Sequence, residues 1–146
     1  MCILLVEDDY NDILLIQRAF RKAEIRQPMM QVSDGEEAIA YLSREGKYAD
    51  KNIYPTPLLV LLDLKLPRRS GLEVLAWIRQ HPRLKRLLVV VLSSSKENSD
   101  LNHAYDLGIN SYLVKPVNFQ DFVKLIQLVE AYWLQRNEPP KISCNN

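Results

Sequence analysis

The feature that most constrains this fold is a series of short, wholly apolar segments separated by stretches of helical periodicity. Residues 3–6, 58–62 and 87–92 are uninterrupted aliphatic runs of four to six residues. A strand with one wet face alternates apolar and polar side chains, so a run without alternation predicts a strand buried on both faces. Weaker strand patterns at residues 29–32 and 111–114 bring the predicted number of strands to five.

Segments of helical periodicity lie between the predicted strands. Apolar residues recur three or four positions apart in the segments 13–23, 36–42, 72–80, 99–107 and 118–135, a spacing typical of helices with one apolar face. Five strands alternating with five helices predict a doubly wound α/β fold, in which a parallel sheet carries helices on both faces.

Two helix starts contain typical capping residues. Asn11 or Asp12 is expected to cap the first helix, because either side chain can accept a hydrogen bond from a free backbone amide. Ser33 and Glu36 have the capping-box spacing, which predicts that Ser33 caps the second helix. The polar segment 44–57 that follows is expected to form a long loop or an extended helix end.

The composition is that of an ordinary globular domain. The 146 residues are 47% hydrophobic and 25% charged, and their number suits one domain. A net charge of +1 argues against a nucleic-acid partner, and no apolar run is long enough to span a bilayer. Cys2 and Cys144 show no disulfide or zinc spacing, and no basic leader precedes the first strand. We therefore expect a cytoplasmic protein that binds neither DNA nor a membrane.

Acidic residues follow two of the predicted strands. Glu7, Asp8 and Asp9 close the first strand, and Asp63 closes the third. In an open α/β sheet these positions share the carboxyl edge, where such folds bind ligands. Carboxylates brought together repel each other, and a divalent cation removes that cost. All-oxygen ligation favours Mg²⁺ or Mn²⁺.

A hydroxyl and an ammonium are predicted at the same edge. Ser93 ends the fourth strand and Lys115 follows the fifth. Each acidic residue alone has an ordinary explanation as a helix cap or as part of a turn before a helix. In combination, a cation, Ser93 and Lys115 suit the three oxygens of a phosphoryl group, and an aspartate such as Asp63 is an established nucleophile for its transfer.

The ordered motifs resemble the receiver domain of two-component response regulators over nearly the whole chain. The matching segments are Val6-Glu7-Asp8-Asp9, Leu61-Leu62-Asp63-Leu64-Lys65-Leu66-Pro67, Gly71-Leu72-Glu73, Val91-Leu92-Ser93-Ser94-Ser95, and Gly108 with Tyr112-Leu113-Val114-Lys115-Pro116. The resemblance implies a flavodoxin-like sheet with strand order 2-1-3-4-5. It also implies a receiver domain over residues 1–136, followed by a polar, mobile tail at 137–146.

A metal-assisted phosphoacceptor site follows from the resemblance. Asp63 would be the phosphoacceptor and a ligand of Mg²⁺ or Mn²⁺. Asp8 would bind the ion directly and Glu7 through a water molecule. The backbone carbonyl of Lys65 would complete the protein ligands, and Asp9 would have a supporting place or cap the helix.

The resemblance also implies a switch. Ser93 would donate to the phosphoryl group beside Lys115, and Tyr112 would turn inward as the Ser93 hydroxyl moves. The bond from Lys115 to Pro116 is expected to be cis, which would aim the lysine at the site.

The sequence departs from the smallest receivers at two places, one of which bears on the partner and the other on the chemistry. The longer segment 44–57, together with the acidic opening, resembles the single-domain regulators paired with bacterial phytochrome kinases. The expected partner is therefore a sensor histidine kinase, of the phytochrome type. Lys65 replaces the short polar residue common at its position, and its side chain is expected to alter the hydrolysis of the phosphoryl group in a direction left open.

The last predicted helix has more apolar surface than one buried stripe requires. Its stripe includes Phe122, Ile126 and Val129, and Leu128 and Leu134 lie outside it. Exposed apolar area indicates a protein interface, whereas simple burial of a long terminal helix remains the alternative. Because receivers commonly dimerise on this side, we expect a homodimer through the Tyr112 strand and the C-terminal helix.

Four functions are candidates for this chain. The first is a stand-alone phosphorylation switch, which is not an enzyme beyond catalysing its own phosphorylation and dephosphorylation. A phosphatase of the dehalogenase-like class requires a second aspartate where this chain has Lys65. A nucleotide- or flavin-binding domain requires a glycine-rich loop after the first strand, which is absent from the sequence. A receiver-shaped module that is never phosphorylated is disfavoured by the intact site.

Overall fold

A computed structural model describes residues 1–142, and their five strands form one parallel sheet. The strands are β1 (Cys2–Val6), β2 (Met29–Val32), β3 (Pro57–Leu62), β4 (Leu88–Ser93) and β5 (Ser111–Val114). Their order is β2-β1-β3-β4-β5, and every neighbouring pair is parallel. The predicted fold class and strand order are confirmed. Residues 143–146, which include Cys144 and the end of the predicted tail, lie outside the described residues.

Within residues 1–142, five α-helices connect or follow the strands. They are α1 (Tyr10–Lys22), α2 (Gly35–Ser43), α3 (Gly71–Gln80), α4 (Asn98–Asp106) and α5 (Phe119–Val129). A π-helical segment, Glu130–Arg136, continues α5, so the long terminal helix is present but changes its hydrogen-bond pattern halfway. No helix of residues 1–142 has the length and apolarity that a membrane span needs.

The cap of α1 is Asp9, as the family resemblance allowed, rather than Asn11 or Asp12, and the cap of α2 is Asp34 rather than Ser33. Asp9 caps α1, and its carboxylate accepts the amide of Asp12 at 3.0 Å. Asp34 caps α2 and accepts the amide of Glu37 at 2.7 Å. Both helices start shortly after a strand ends. The path of the chain from the strand to the helix therefore determines which acidic or polar residue becomes the cap.

The pleat of the strands divides their apolar side chains between two cores. Ile3 and Leu5 of β1 pack with α1 and α5 on one face, whereas Cys2, Leu4 and Val6 pack with α2, α3 and α4 on the other. Burying each such leucine or isoleucine contributes about 1.5–3 kcal/mol before entropy is counted. The uninterrupted apolar runs in the sequence are therefore explained by helices on both sides of the sheet.

A tyrosine cluster orders the long segment between α2 and β3. The segment contains a short 3₁₀ helix, Gly46–Ala49. The rings of Tyr48 and Tyr54 lie 5.1 Å and 5.9 Å from the ring of Tyr41, and the Tyr41 hydroxyl donates to the Pro55 carbonyl at 2.8 Å. Burial raises the pKa of Tyr41, so its phenol stays protonated and remains a donor. The segment is thus a packed extension of the core beside α2.

The prediction of a cis bond before Pro116 is wrong. Every peptide bond in residues 1–142 is trans, as the intrinsic preference of about 0.5–1 kcal/mol for trans bonds before proline favours. Lys115 is instead positioned by the sheet, because its amide donates to the Ser93 carbonyl at 2.8 Å just beyond the end of β5. Its long side chain then covers the remaining distance to the carboxylates.

Candidate functional site

The acidic residues lie on neighbouring strand ends that the sheet holds in register. Val6 pairs with Leu62 across β1 and β3. Beyond that pair, the Glu7 amide donates to the Val32 carbonyl and the Asp63 amide to the Val6 carbonyl, both at 3.1 Å. The hydrogen bonding of the sheet therefore continues to the residues that carry the carboxylates, and their backbone is rigid.

The ammonium of Lys115 is the centre of the site. Its Nζ lies 2.5 Å from Glu7 Oε1, 2.8 Å from Asp12 Oδ2 and 3.4 Å from Asp63 Oδ2. The Lys115 side chain is 8% exposed and that of Glu7 only 1% exposed. Sequence reasoning proposed Asp12 only as a helix cap and missed its ion pair. The available signal was its place in the first turn of a helix that starts directly after β1.

The protonation of this cluster follows from burial and close charges. Burial raises the pKa of Glu7 to about 7; the bond from Lys115 opposes the rise, and nearby Asp63 adds to it. Burial by itself would lower the pKa of Lys115, but its contacts with Asp12, Glu7 and Asp63 outweigh that and raise it. Lys115 is thus a permanent cation at neutral pH.

Three carboxylates at the site can bind a metal ion together. Oxygens of Glu7, Asp8 and Asp63 lie within 4.8 Å of one another. Asp8 is exposed, whereas Glu7 Oε2 is held by the amides of Asp8 and Asp9 at 3.1 Å and 3.3 Å. Carboxylates without nitrogen or sulfur donors suit Mg²⁺ or Mn²⁺. The donor set therefore fits the predicted ion, and the site is open to solvent beside Asp8.

The loop after Asp63 is held close to the start of α3. The Lys65 amide lies 3.4 Å from Asp63 Oδ1, and its side chain is exposed. The metal-binding role of its carbonyl stays a prediction. A Cβ on Gly71 would lie 2.2 Å from the Asp63 carbonyl oxygen, so only glycine lets α3 approach the backbone of Asp63 this closely.

Ser93 and Tyr112 are linked through a residue that the sequence did not single out. Ser93 is buried at the end of β4, and its Oγ accepts the amide of Ser95 at 3.1 Å. The Tyr112 hydroxyl donates to the carbonyl of the same Ser95 at 2.9 Å. In residues 1–142, the Ser93 hydroxyl has no hydrogen bond to Asp63. The structure thus unites Glu7, Asp8, Asp63 and Lys115, and it joins Ser93 to them through the backbone of Lys115.

Comparison with protein families and with curated proteins agrees with this arrangement. The family model of the response regulator receiver domain matches residues 3–127. Response regulator Rcp1 of Synechocystis sp. is 42% identical over 133 residues, which cover 91% of this chain and 88% of Rcp1. The similarity therefore extends through all the site residues, from Glu7 to Lys115.

Two solved structures have the same fold over nearly the whole chain. The phosphorylated cyanobacterial phytochrome response regulator RcpA superposes with a TM-score of 0.88 at 43% identity, covering 95% of this chain and 97% of RcpA. The Mn²⁺-bound form of Rcp1 gives a TM-score of 0.85 at 41% identity, covering 96% of this chain and 99% of Rcp1. The resemblance inferred from the sequence motifs is confirmed.

Replacing the exposed carboxylate of the cluster should weaken metal binding. Asp8→Asn is expected to lower the affinity for Mn²⁺ by about tenfold or more, because loss of even an outer partner of a metal site typically costs that much. Isothermal titration with Mn²⁺ measures the change. Asp9→Asn is the matched control, since it removes the same charge one residue away and asparagine still caps α1. Equal weakening by both variants would contradict a ligand role for Asp8.

Proposed function

This chain belongs to the response regulator receiver family, and we propose that it is a phosphorylation switch whose acceptor is Asp63. The observation that carries the proposal is the position of the Lys115 ammonium, 3.4 Å from Asp63 Oδ2 and in contact with Glu7. A buried cation beside a carboxylate on a rigid strand end stabilises negative charge that arrives there. In the receiver family, the negative charge that arrives at this position is that of a phosphoryl group.

The proposed reaction is a phosphoryl transfer from a histidine of a sensor kinase. An Asp63 carboxylate oxygen attacks phosphorus, an O–P bond forms, and the P–N bond breaks with its electron pair retained by the imidazole ring. Lys115 leaves its contact with Asp63 Oδ2 to bind a phosphoryl oxygen. Such transfers depend mainly on positioning and charge stabilisation, which rigid strand ends supply.

The hydroxyl of Ser93 is suited to a second phosphoryl oxygen. Its oxygen already accepts the Ser95 amide, so its own hydrogen remains available for donation. A bound Mg²⁺ or Mn²⁺, with Asp8, Asp63, the Lys65 carbonyl and, through water, Glu7 as its protein ligands, would neutralise charge on the phosphoryl oxygens. The phosphorylated aspartate then carries strong new acceptors and extra negative charge at the end of β3, which biases the Ser93 and Tyr112 surface.

Treatment with acetyl phosphate and Mg²⁺ tests the acceptor. Intact mass measurement should show one phosphoryl adduct on the wild-type protein and none on Asp63→Asn, because the amide cannot act as the nucleophile. Asp9→Asn serves as the control and should be modified like the wild type. If the wild type stays unmodified, the chain is a receiver-shaped module without this chemistry. An adduct retained by Asp63→Asn would place the acceptor elsewhere.

We also propose that the partner kinase is of the phytochrome type. The support is the similarity to RcpA, named a phytochrome response regulator, together with the long segment between α2 and β3. In the structure this segment is packed by Tyr48 and Tyr54 rather than loose, and the Tyr48 hydroxyl donates to Glu37 of α2, so the segment offers a defined surface beside α2.

Phosphotransfer rates test this pairing. A purified, autophosphorylated phytochrome kinase should transfer to this chain faster than an unrelated sensor kinase by at least about tenfold, the effect of roughly 1.4 kcal/mol of discrimination. The decay of radiolabel on each kinase measures the rates under the same conditions. Equal rates from both kinases would contradict a phytochrome-specific partner.

The edge strand and C-terminal helix form the proposed dimer surface. Leu128 and Tyr132 are 67% and 56% exposed, and a groove of about 400 Å³ separates them from β5. The groove is lined by Asn110, Ser111, Leu113, Leu125, Leu128, Val129, Tyr132 and Trp133. A contiguous apolar surface of this kind favours association, and a net charge of +1 gives little repulsion between copies. We take a second copy of this chain as its occupant.

A charge in this surface should break the dimer. Leu128→Glu is expected to weaken self-association by at least about tenfold, because a two-fold interface brings two like charges close together. Sedimentation velocity over a concentration series measures the dissociation constant. Ile53→Glu places the same charge at an exposed position of the segment between α2 and β3 and should leave association unchanged. A wild-type protein that stays monomeric at all concentrations refutes this part of the proposal.

A further inference from the structure

Four hydrogen bonds converge on Ser95, which is buried in the loop between β4 and α4. Its amide donates to Ser93 Oγ at 3.1 Å, and its carbonyl accepts the Tyr112 hydroxyl at 2.9 Å. Its own hydroxyl donates to Asp100 Oδ2 at 2.6 Å and accepts the amide of Glu97 at 3.3 Å. One residue therefore contacts the end of β4, the aromatic ring of β5 and the start of α4.

The side-chain bonds of Ser95 take the place of an ordinary helix cap. The N-cap residue of α4 is Glu97, and its side chain makes no capping hydrogen bond. Ser95 Oγ satisfies the Glu97 amide instead, and Asp100 in the first turn accepts the Ser95 hydroxyl. Because the acceptor is a carboxylate, the bond from Ser95 to Asp100 is of the stronger, charge-assisted kind.

The helix held in this way has few other anchors. Only Ala104 of α4 is buried, and the rest of the helix is partly or fully exposed. An element with little buried apolar surface has low local stability, and its position depends on the polar contacts that remain. The contact between Ser95 and Asp100 thus has a large influence on where α4 starts.

We infer that Ser95 is a positioning residue that couples Ser93 and Tyr112 to α4 through its hydrogen bond to Asp100. When the Ser93 hydroxyl turns toward a phosphoryl group, the Ser95 amide that donates to it must move with it or lose the hydrogen bond. The same residue carries the carbonyl that holds Tyr112 and the hydroxyl that holds α4, so a shift at Ser93 reaches both. This coupling rests on the proposed phosphorylation of Asp63, and it assigns to Ser95 the contact that fixes the start of α4.

The phosphorylation response of α4 tests the coupling. In the wild type, acetyl phosphate and Mg²⁺ should shift the backbone amide resonances of residues 98–106. In Ser95→Ala and Asp100→Ala, the size of these shifts should fall by at least about twofold, the effect of losing one hydrogen bond in a two-state equilibrium. The phosphoryl yield by intact mass should stay at the wild-type level, since neither side chain contacts Asp63. Ser95→Thr, which keeps the hydroxyl, should restore the response.

Two further measurements make the outcome decisive. Ser94→Ala removes an exposed neighbouring hydroxyl and should respond like the wild type. In unmodified protein, hydrogen exchange of the first-turn amides of α4 should be faster in Ser95→Ala than in Ser94→Ala. Equal exchange in both variants, or a full α4 response in a phosphorylated Ser95→Ala protein, would overturn the coupling. A wild type that takes no phosphoryl group would instead refute the proposed function. The hydrogen-exchange data would still show whether the Ser95 side chain stabilises the start of α4.

Discussion

The buried ammonium of Lys115 is the interaction on which the site depends. A charged group with so little exposure is stable only when opposite charges surround it. Here those charges come from Glu7 after β1, Asp12 in α1 and Asp63 after β3. The lysine follows β5, so one contact set ties together strands from the middle and the edge of the sheet. The parallel register makes this possible, because every strand ends at the same side.

The same cluster explains why the site suits a cation and a phosphoryl group. Several carboxylates face one ammonium, and burial already raises the pKa of Glu7 to about 7. Negative charge in excess of Lys115 favours a divalent ion at the open side near Asp8. A divalent ion at this place would reduce the repulsion between the carboxylates and an anionic phosphoryl group. The proposed metal ligands and the proposed acceptor would therefore belong to one charge balance.

The elements that sequence reasoning predicted well are those with strong local signals. The strands ending at Val6 and Leu62 were recognisable because burial on both faces requires unbroken aliphatic runs. Helix caps were predicted less well. Local patterns pointed to Asn11 or Asp12 and to Ser33, whereas Asp9, which the resemblance allowed as a cap, and Asp34 cap α1 and α2. The bond before Pro116 is trans, although the family resemblance implied cis. For each helix cap several residues are locally acceptable, and the path of the chain between sheet and helix selects one.

The sequence by itself determined the sheet, the strand ends and the placement of Asp63 and Lys115 on them. Uninterrupted apolar strands that take turns with amphipathic helices along the chain leave few other topologies. Only the tertiary structure decided that Asp12 joins the ion cluster and that Ser95 links Ser93, Tyr112 and α4. Those contacts depend on which turn of a helix faces the strand ends and on how a loop folds back. Neither can be read from the spacing of residues along the chain. Asp12 and Lys115 are 103 residues apart and meet only in the folded sheet. Ser95 lies close to Ser93 and Asp100 in sequence, and its bonds depend on the path of the loop between β4 and α4.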